Sequence, residues 1–166
     1  MATISEVCRK AKENVQAIAL ASEQDMNVML SSAAKALREK ADDIIAENKK
    51  DIAACTRGAQ FIDRLMLDKK RIDGIAAGLE KLVELPCPVG EILEERTLYN
   101  GLQLRRVRVP LGVLGIIYEA RPNVTADAIG LAIKSGNAVV LRGSKDAICS
   151  NKMITAVIKS AIGAAG

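Results

Sequence analysis

The chain has 166 residues, enough for one domain that buries roughly two-thirds of its unfolded surface. It is 49% hydrophobic yet has one Phe, two Tyr and no Trp, so its core must be aliphatic and rich in alanine. The net charge of +4 comes from 24 basic and 20 acidic residues spread along the chain, too mild and mixed a balance to argue for a nucleic-acid-binding surface.

No apolar run approaches the ~20 residues of a membrane span, and Met1-Ala-Thr-Ile-Ser5 opens a polar helix rather than a signal peptide. Cys8, Cys55, Cys87 and Cys149 are far apart and form no CxxC pair. Without a secretion signal, this pattern predicts free thiols in a reducing, cytoplasmic setting. The chain has no histidine, which removes Ser-His and Cys-His catalysis and the usual zinc sets, and no metal site is expected.

In chain order, Ile4, Val7, Cys8, Ala11, Val15, Ile18 and Ala19 form a helical stripe. Ser22-Glu-Gln-Asp25 starts a second helix, whose stripe from Met29 through Ile45 predicts one continuous element down to Asp51. Gly58 breaks the pattern. A third helix is expected from about Phe61 to Leu85, with an interruption near Asp68. Pro86-Cys-Pro-Val-Gly90 then ends the helical region, because two prolines around one residue cannot continue a helix.

Thr97-Leu-Tyr99 and Leu102–Val107 flank Asn100-Gly101, a strong hairpin signal. Arg105, Arg106 and Arg108 make a positive cluster that reads either as edge-strand protection or as a binding surface. A hairpin projecting between compact regions also suits a dimerisation arm.

Pro110 to Ile148 is the stretch around which the rest is organised. Val113–Tyr118 is apolar without alternation, as expected of a strand covered on both faces. Asn123-Val-Thr starts a helix with apolar positions at Ala126, Ile129, Ala132 and Ile133, and Ser135-Gly-Asn137 stops it. Ala138–Leu141 is a second buried β-branched run, and a further helix covers Asp146 to Ala161. A βαβ unit implies two parallel strands with a right-handed crossover, and in such sheets ligands bind beyond the carboxyl ends of the strands. Those ends carry Glu119-Ala-Arg-Pro-Asn123 and Arg142-Gly-Ser-Lys145.

Two readings are open at each end. Asn123 either caps its helix or directs its amide NH2 at a developing oxyanion. Arg142, Gly143, Ser144 and Lys145 precede a helix whose bare N-terminal amides would attract an anion, and their side chains make a phosphate site of it; otherwise they are a polar surface loop. No GxGxxG follows the first strand, so a nucleotide would have to bind in some other way. A two-stranded parallel sheet has open edges, and the final Gly163-Ala-Ala-Gly166 falls where a third parallel strand would be expected. The chain thus reads as the N-terminal part of a longer protein.

VPLGVLGIIYEARPNVTADA and LAIKSGNAVVLRGSKDA closely resemble the gamma-glutamyl phosphate reductase (glutamate-5-semialdehyde dehydrogenase) family, a branch of the aldehyde dehydrogenase superfamily. The likeness extends upstream through DRLMLDKKRIDGIAAGLEKLVELPCPVGEI and NGL. The resemblance implies an α/β, aldehyde-dehydrogenase-like fold. Residues 1–90 would be the N-terminal helical region of the cofactor-binding domain, residues 91–109 a β-hairpin oligomerisation arm, and residues 110–166 a partial Rossmann-like core truncated before the catalytic domain. It further implies NADPH-dependent reduction of gamma-glutamyl phosphate to glutamate-5-semialdehyde in proline biosynthesis. Homo-oligomers would form through the 97–107 hairpin in the full-length protein.

By the same resemblance, Asn123 occupies the place of the oxyanion-holding asparagine. Arg142, Gly143, Ser144 and Lys145 stand where aldehyde dehydrogenases carry Lys-Pro-Ser-Glu against the adenosine ribose. A glutamate there repels a 2′-phosphate and a lysine attracts it, which favours NADP over NAD. Cys87 departs from the family's aspartate, and Ser144 and Asp146 from its commoner Gly and Glu. The family's catalytic cysteine lies downstream of this region, so none of the four cysteines is assigned and the chain is expected to be inactive alone. The alternatives are another aldehyde dehydrogenase, disfavoured by YEARPN and RGSK, or a nonenzymatic helical or nucleotide-binding fragment.

Overall fold

The computed structural model describes residues 3–165; Met1, Ala2 and Gly166 lie outside the described residues. Five helices come first: α1 (Ile4–Leu20), α2 (Glu23–Glu39), α3 (Ala41–Ala54), α4 (Ala59–Leu65) and α5 (Lys69–Glu84). A hairpin of β1 (Ile92–Thr97) and β2 (Gln103–Val107) follows. The chain then forms β3 (Val113–Ile117), α6 (Asn123–Lys134), β4 (Ala138–Arg142), a single 3₁₀ turn at Lys145–Ala147 and α7 (Ile148–Ala165). Gly163 to Ala165, where the sequence predicts a third strand, instead continue α7; Gly166 of that segment lies outside the described residues.

Local chemistry sets the helix starts. The Ser22 hydroxyl accepts the Asp25 amide at 3.1 Å while the Asp25 carboxylate accepts the Ser22 amide at 3.0 Å, a reciprocal cap worth about 1 kcal/mol. Thr3 and Glu6 repeat the arrangement on α1. Asp68 caps α5 by accepting the Arg71 amide at 2.6 Å, which is why the predicted third helix is interrupted there.

The helix expected from Ser22 to Asp51 is two helices. Lys40 leaves helical geometry (φ −100°, ψ 17°), and α3 turns away to pack on α7. Periodicity did not reveal this break, because the apolar stripe runs unbroken through Leu37, Ala41 and Ile44 on both sides of it.

The core is helical and aliphatic. Met26, Leu30 and Leu37 of α2, Ile72 and Leu79 of α5, and Ile154 and Ile158 of α7 are all fully buried in one cluster. Helix α1 buries no residue completely. Ala11, Val15, Ile18 and Ala19 are half-buried on the side that rests on β4 and β3, while Ile4, Val7 and Cys8 of its stripe are exposed.

Strands β3 and β4 are parallel neighbours, in register from Val113 opposite Ala138 to Ile117 opposite Arg142. The expectation that both are covered on two faces needs correction. Along β3, exposed Val113, Gly115 and Ile117 alternate with half-buried Leu114 and Ile116, and Ile117 is 84% exposed. Ala138–Leu141 is half-buried rather than buried. One face of β3 has no layer against it among the described residues, so its unbroken apolar sequence outruns the burial available.

The hairpin also differs in detail. Its first strand lies upstream of Leu98-Tyr99, which belong to the turn. The Gly101 amide donates to the Leu98 carbonyl at 2.9 Å, and Gly101 sits at φ +83°, a left-handed position that favours glycine. Both strands are exposed throughout. The arginine cluster is largely neutralised across and beside the hairpin, with Arg105 2.9 Å from Glu95 and Arg108 2.8 Å from Glu91.

Candidate functional site

The parallel register brings the two loaded segments to one end of the sheet. Ile117 pairs with Arg142, and the Tyr118 amide donates to the Arg142 carbonyl at 3.1 Å. Glu119–Asn123 and Gly143–Lys145 therefore leave β3 and β4 from adjacent positions.

Asn123 is not the cap of α6. Pro122 occupies that position with αR geometry (φ −58°, ψ −31°), and no side chain caps the helix. The proline ring is already set for the helix, so helical geometry begins one residue earlier than the Asn signal suggests. The Asn123 side chain is exposed, and its Nδ2 lies 3.5 Å from Asp127 Oδ2, at the outer limit of a hydrogen bond.

Asn123 lines a pocket of about 550 Å³ together with Arg121 and Asp127. The opposite wall comes from α4, α5 and the segment between them, including Asp63, Arg64 and Arg71. Burial pushes the half-buried Asp127 carboxyl above its ordinary range, with the Asn123 amide pulling it back.

Arg142 and Lys145 do not line that pocket. Both are exposed, and neither has a carboxylate within ion-pair distance among the described residues. Ser144 is turned inward, accepting the Asp146 amide at 3.2 Å and donating to Asp146 Oδ2 at 3.1 Å. Asp146 in turn lies 3.4 Å from the Arg57 guanidinium, so this neighbouring acid is already engaged.

The helix N-terminus behind this loop is not bare. Asp51, buried on α3, accepts the Cys149 amide at 3.0 Å and the Ser150 amide at 2.8 Å. A protein carboxylate thus already satisfies the amides expected to draw an external anion, and attraction at this loop falls to the Arg142 and Lys145 side chains.

Gly143 owes its identity to what lies beneath it. A Cβ there would come within 2.3 Å of Asn151 Nδ2 and 2.9 Å of Tyr118 Cζ. These groups belong to a polar chain under the loop. The Tyr118 hydroxyl and Thr125 Oγ1 are 2.7 Å apart, and Thr125 Oγ1 donates to Asn151 Oδ1 at 3.0 Å. Burial pushes the Tyr118 hydroxyl up. Asn151 Nδ2 is buried without a partner among the described residues.

Sequence reasoning missed Thr125, Asn151, Asn48 and Asp51, although a signal was present. Asn151 falls on the stripe of Ile154 and Ile158, and Asn48 and Asp51 on that of Ile44. A polar residue at an apolar register marks a buried hydrogen-bonding site. Asn48 donates to the Leu65 carbonyl at 2.8 Å and to Ser150 Oγ at 3.0 Å, and accepts the Leu67 amide at 2.8 Å.

All four cysteines are free thiols. Hydrogen bonding to Asp51, with burial added, pushes the Cys149 thiol up, the reverse of nucleophile activation. Cys87 Sγ rests 3.9 Å from Met26 Sδ.

No family model matches the chain. It is 47% identical over 162 residues to the gamma-glutamyl phosphate reductase of Thermobifida fusca, a match that covers 96% of this chain and 39% of the relative. The crystal structure of the gamma-glutamyl phosphate reductase from Thermotoga maritima superposes with a TM-score of 0.94 at 37% identity, over 96% of this chain and 39% of that one. An NAD-dependent benzaldehyde dehydrogenase from Corynebacterium glutamicum shares the fold at a TM-score of 0.76 and 20% identity, over 97% of this chain and 34% of its own. The α/β fold expected from the sequence is thus that of the aldehyde dehydrogenases, and the chain spans about two fifths of the length of the reductases it matches.

Proposed function

We propose that this chain, a relative of the gamma-glutamyl phosphate reductases, is the part of such an enzyme that holds the adenosine end of NADPH and supplies one donor to the reacting carbonyl. The full-length enzyme would convert gamma-glutamyl phosphate to glutamate-5-semialdehyde and phosphate in the cytoplasm. The observation that carries the reading is the register of β3 on β4, which sends the Asn123 and Lys145 segments out of one sheet end in a chain 47% identical to such a reductase.

The residues present fit an NADP-type nucleotide. Arg142 and Lys145 are exposed cations without carboxylate partners among the described residues, and Asp146 is held by Ser144 and Arg57. They would neutralise the ribose 2′-phosphate, which an acid at position 145 would repel. The bound cofactor supplies the hydride. Asn123 is free of any capping duty, and its Nδ2 would donate to the acyl oxygen as negative charge develops there, orienting the carbonyl for attack. The nucleophilic cysteine would come from elsewhere in the enzyme: the Cys149 thiol is pushed up, Cys87 packs against the core, and neither Cys8 nor Cys55 lines the pocket beside Asn123.

The exposed hairpin would serve as an oligomerisation arm. Deleting Leu98–Leu104 from the full-length enzyme should lower its apparent size on gel filtration. The catalytic reading is tested by running the reaction backwards with full-length enzyme carrying this segment. Glutamate-5-semialdehyde should reduce NADP only when inorganic phosphate is present, and turnover independent of phosphate would point to a different aldehyde dehydrogenase.

A further inference from the structure

We propose that the pocket beside Asn123 binds the zwitterionic head of an α-amino acid, Asp127 taking the ammonium and Arg121 the carboxylate. The inference rests on the reductase reading above and assigns the end of the substrate that does not react.

The pocket carries charges of both signs, and they divide into two groups. Arg71 and Asp63 are committed to each other and to the backbone: Arg71 Nη2 is 2.7 Å from Asp63 Oδ1, and Arg71 Nη1 donates to the Met66 carbonyl at 2.8 Å. Arg121, Arg64 and Asp127 have no ion-pair partner among the described residues. Among the described residues, the only hydrogen bond at the Asp127 carboxylate is the long one from Asn123. A half-buried carboxylate that no cation of the pocket pairs with is poorly solvated and gains from an incoming ammonium. The planar fork of arginine matches a carboxylate, and Arg121 lies on the same turn as Asn123.

Spacing joins this head group to the chemistry. Asn123 and Asp127 are one helical turn apart on one face of α6, about 5–6 Å between Cβ atoms. An ammonium on Asp127 therefore places the end of a short acyl side chain beside the Asn123 amide. A ligand carrying negative charge alone can pair with the arginines but leaves Asp127 without a cation. A zwitterion pairs with Asp127 and Arg121 at once and leaves Arg64 as the third free charge.

The test uses full-length enzyme carrying this segment, as wild type and as the Asp127→Asn and Arg121→Gln variants. Calorimetric titration compares L-glutamate, glutarate (which lacks the amine) and 4-aminobutyrate (which lacks the α-carboxylate). The wild type should prefer L-glutamate over each analogue by about 10- to 100-fold, the worth of a hydrogen bond to a charged group. Asp127→Asn should erase the preference over glutarate and keep that over 4-aminobutyrate, and Arg121→Gln the reverse. Equal weakening of all three ligands, or no preference in the wild type, overturns the assignment. Turnover of glutamate-5-semialdehyde is read on the same samples. Full wild-type turnover with unselective binding sinks the pocket alone. Selective binding, lost as described in the variants, without phosphate-dependent turnover upholds the pocket and sinks the reductase reading.

Discussion

Asp51 and Ser150, 99 positions apart in the chain, form a close polar junction in the interior. The Asp51 carboxylate accepts both the Ser150 amide at 2.8 Å and the Ser150 hydroxyl at 2.6 Å. It fixes the start of α7 against α3, and with it the loop that carries Arg142 and Lys145. Replacing Asp51 with Ala leaves two amides and a hydroxyl without their acceptor, at a cost of about 3 kcal/mol. The midpoint of urea unfolding should fall accordingly, with Asp51→Asn losing less.

The same carboxylate governs Cys149. Because its thiol is pushed up, less thiolate is present at any pH below that value, and alkylation by iodoacetamide at mildly alkaline pH should be slower at Cys149 than at exposed Cys8. Asp51→Asn removes the main cause and should speed modification at Cys149. Peptide mapping after timed alkylation reads both rates. An unchanged Cys149 rate in the variant would show that burial alone protects the thiol.

Asn123 makes no capping hydrogen bond, so Asn123→Ala should shift stability by less than the ~1 kcal/mol of a lost cap. In the full-length enzyme the same change should lower kcat on the order of a hundredfold, the effect of removing one oxyanion donor. Thermal unfolding and steady-state rates on one preparation separate these outcomes. A large loss of stability with little loss of rate would make Asn123 a structural residue.

Lys145→Glu places an acid where the 2′-phosphate is proposed to sit. In the full-length enzyme it should raise KM for NADPH far more than for NADH, and the NADPH effect should shrink as salt screens the repulsion. Equal losses for the two cofactors would remove Lys145 from the phosphate site.

Much of the fold was legible in the sequence because its signals are local. Ser22 with Asp25, Asp68, the Pro86-Cys-Pro88 stop and Asn100-Gly101 each act within a few residues, where hydrogen bonds and backbone sterics are set by near neighbours. The pairing of the two apolar runs as parallel strands followed from the helix between them, and it placed the Asn123 and Lys145 segments at one sheet end.

What only the tertiary structure decided concerns partners distant in sequence. That Asp51 fills the α7 N-terminus, that Asn48 bonds Ser150, and that Asp127 shares a pocket with Asp63 and Arg64 of α4 all join residues whose spacing carries no message. A buried polar side chain is stable only where a partner meets it, and its partner's place is set by how helices pack. Local sequence determines each element and the face it offers, whereas packing determines which polar groups are paired and which are left for a ligand.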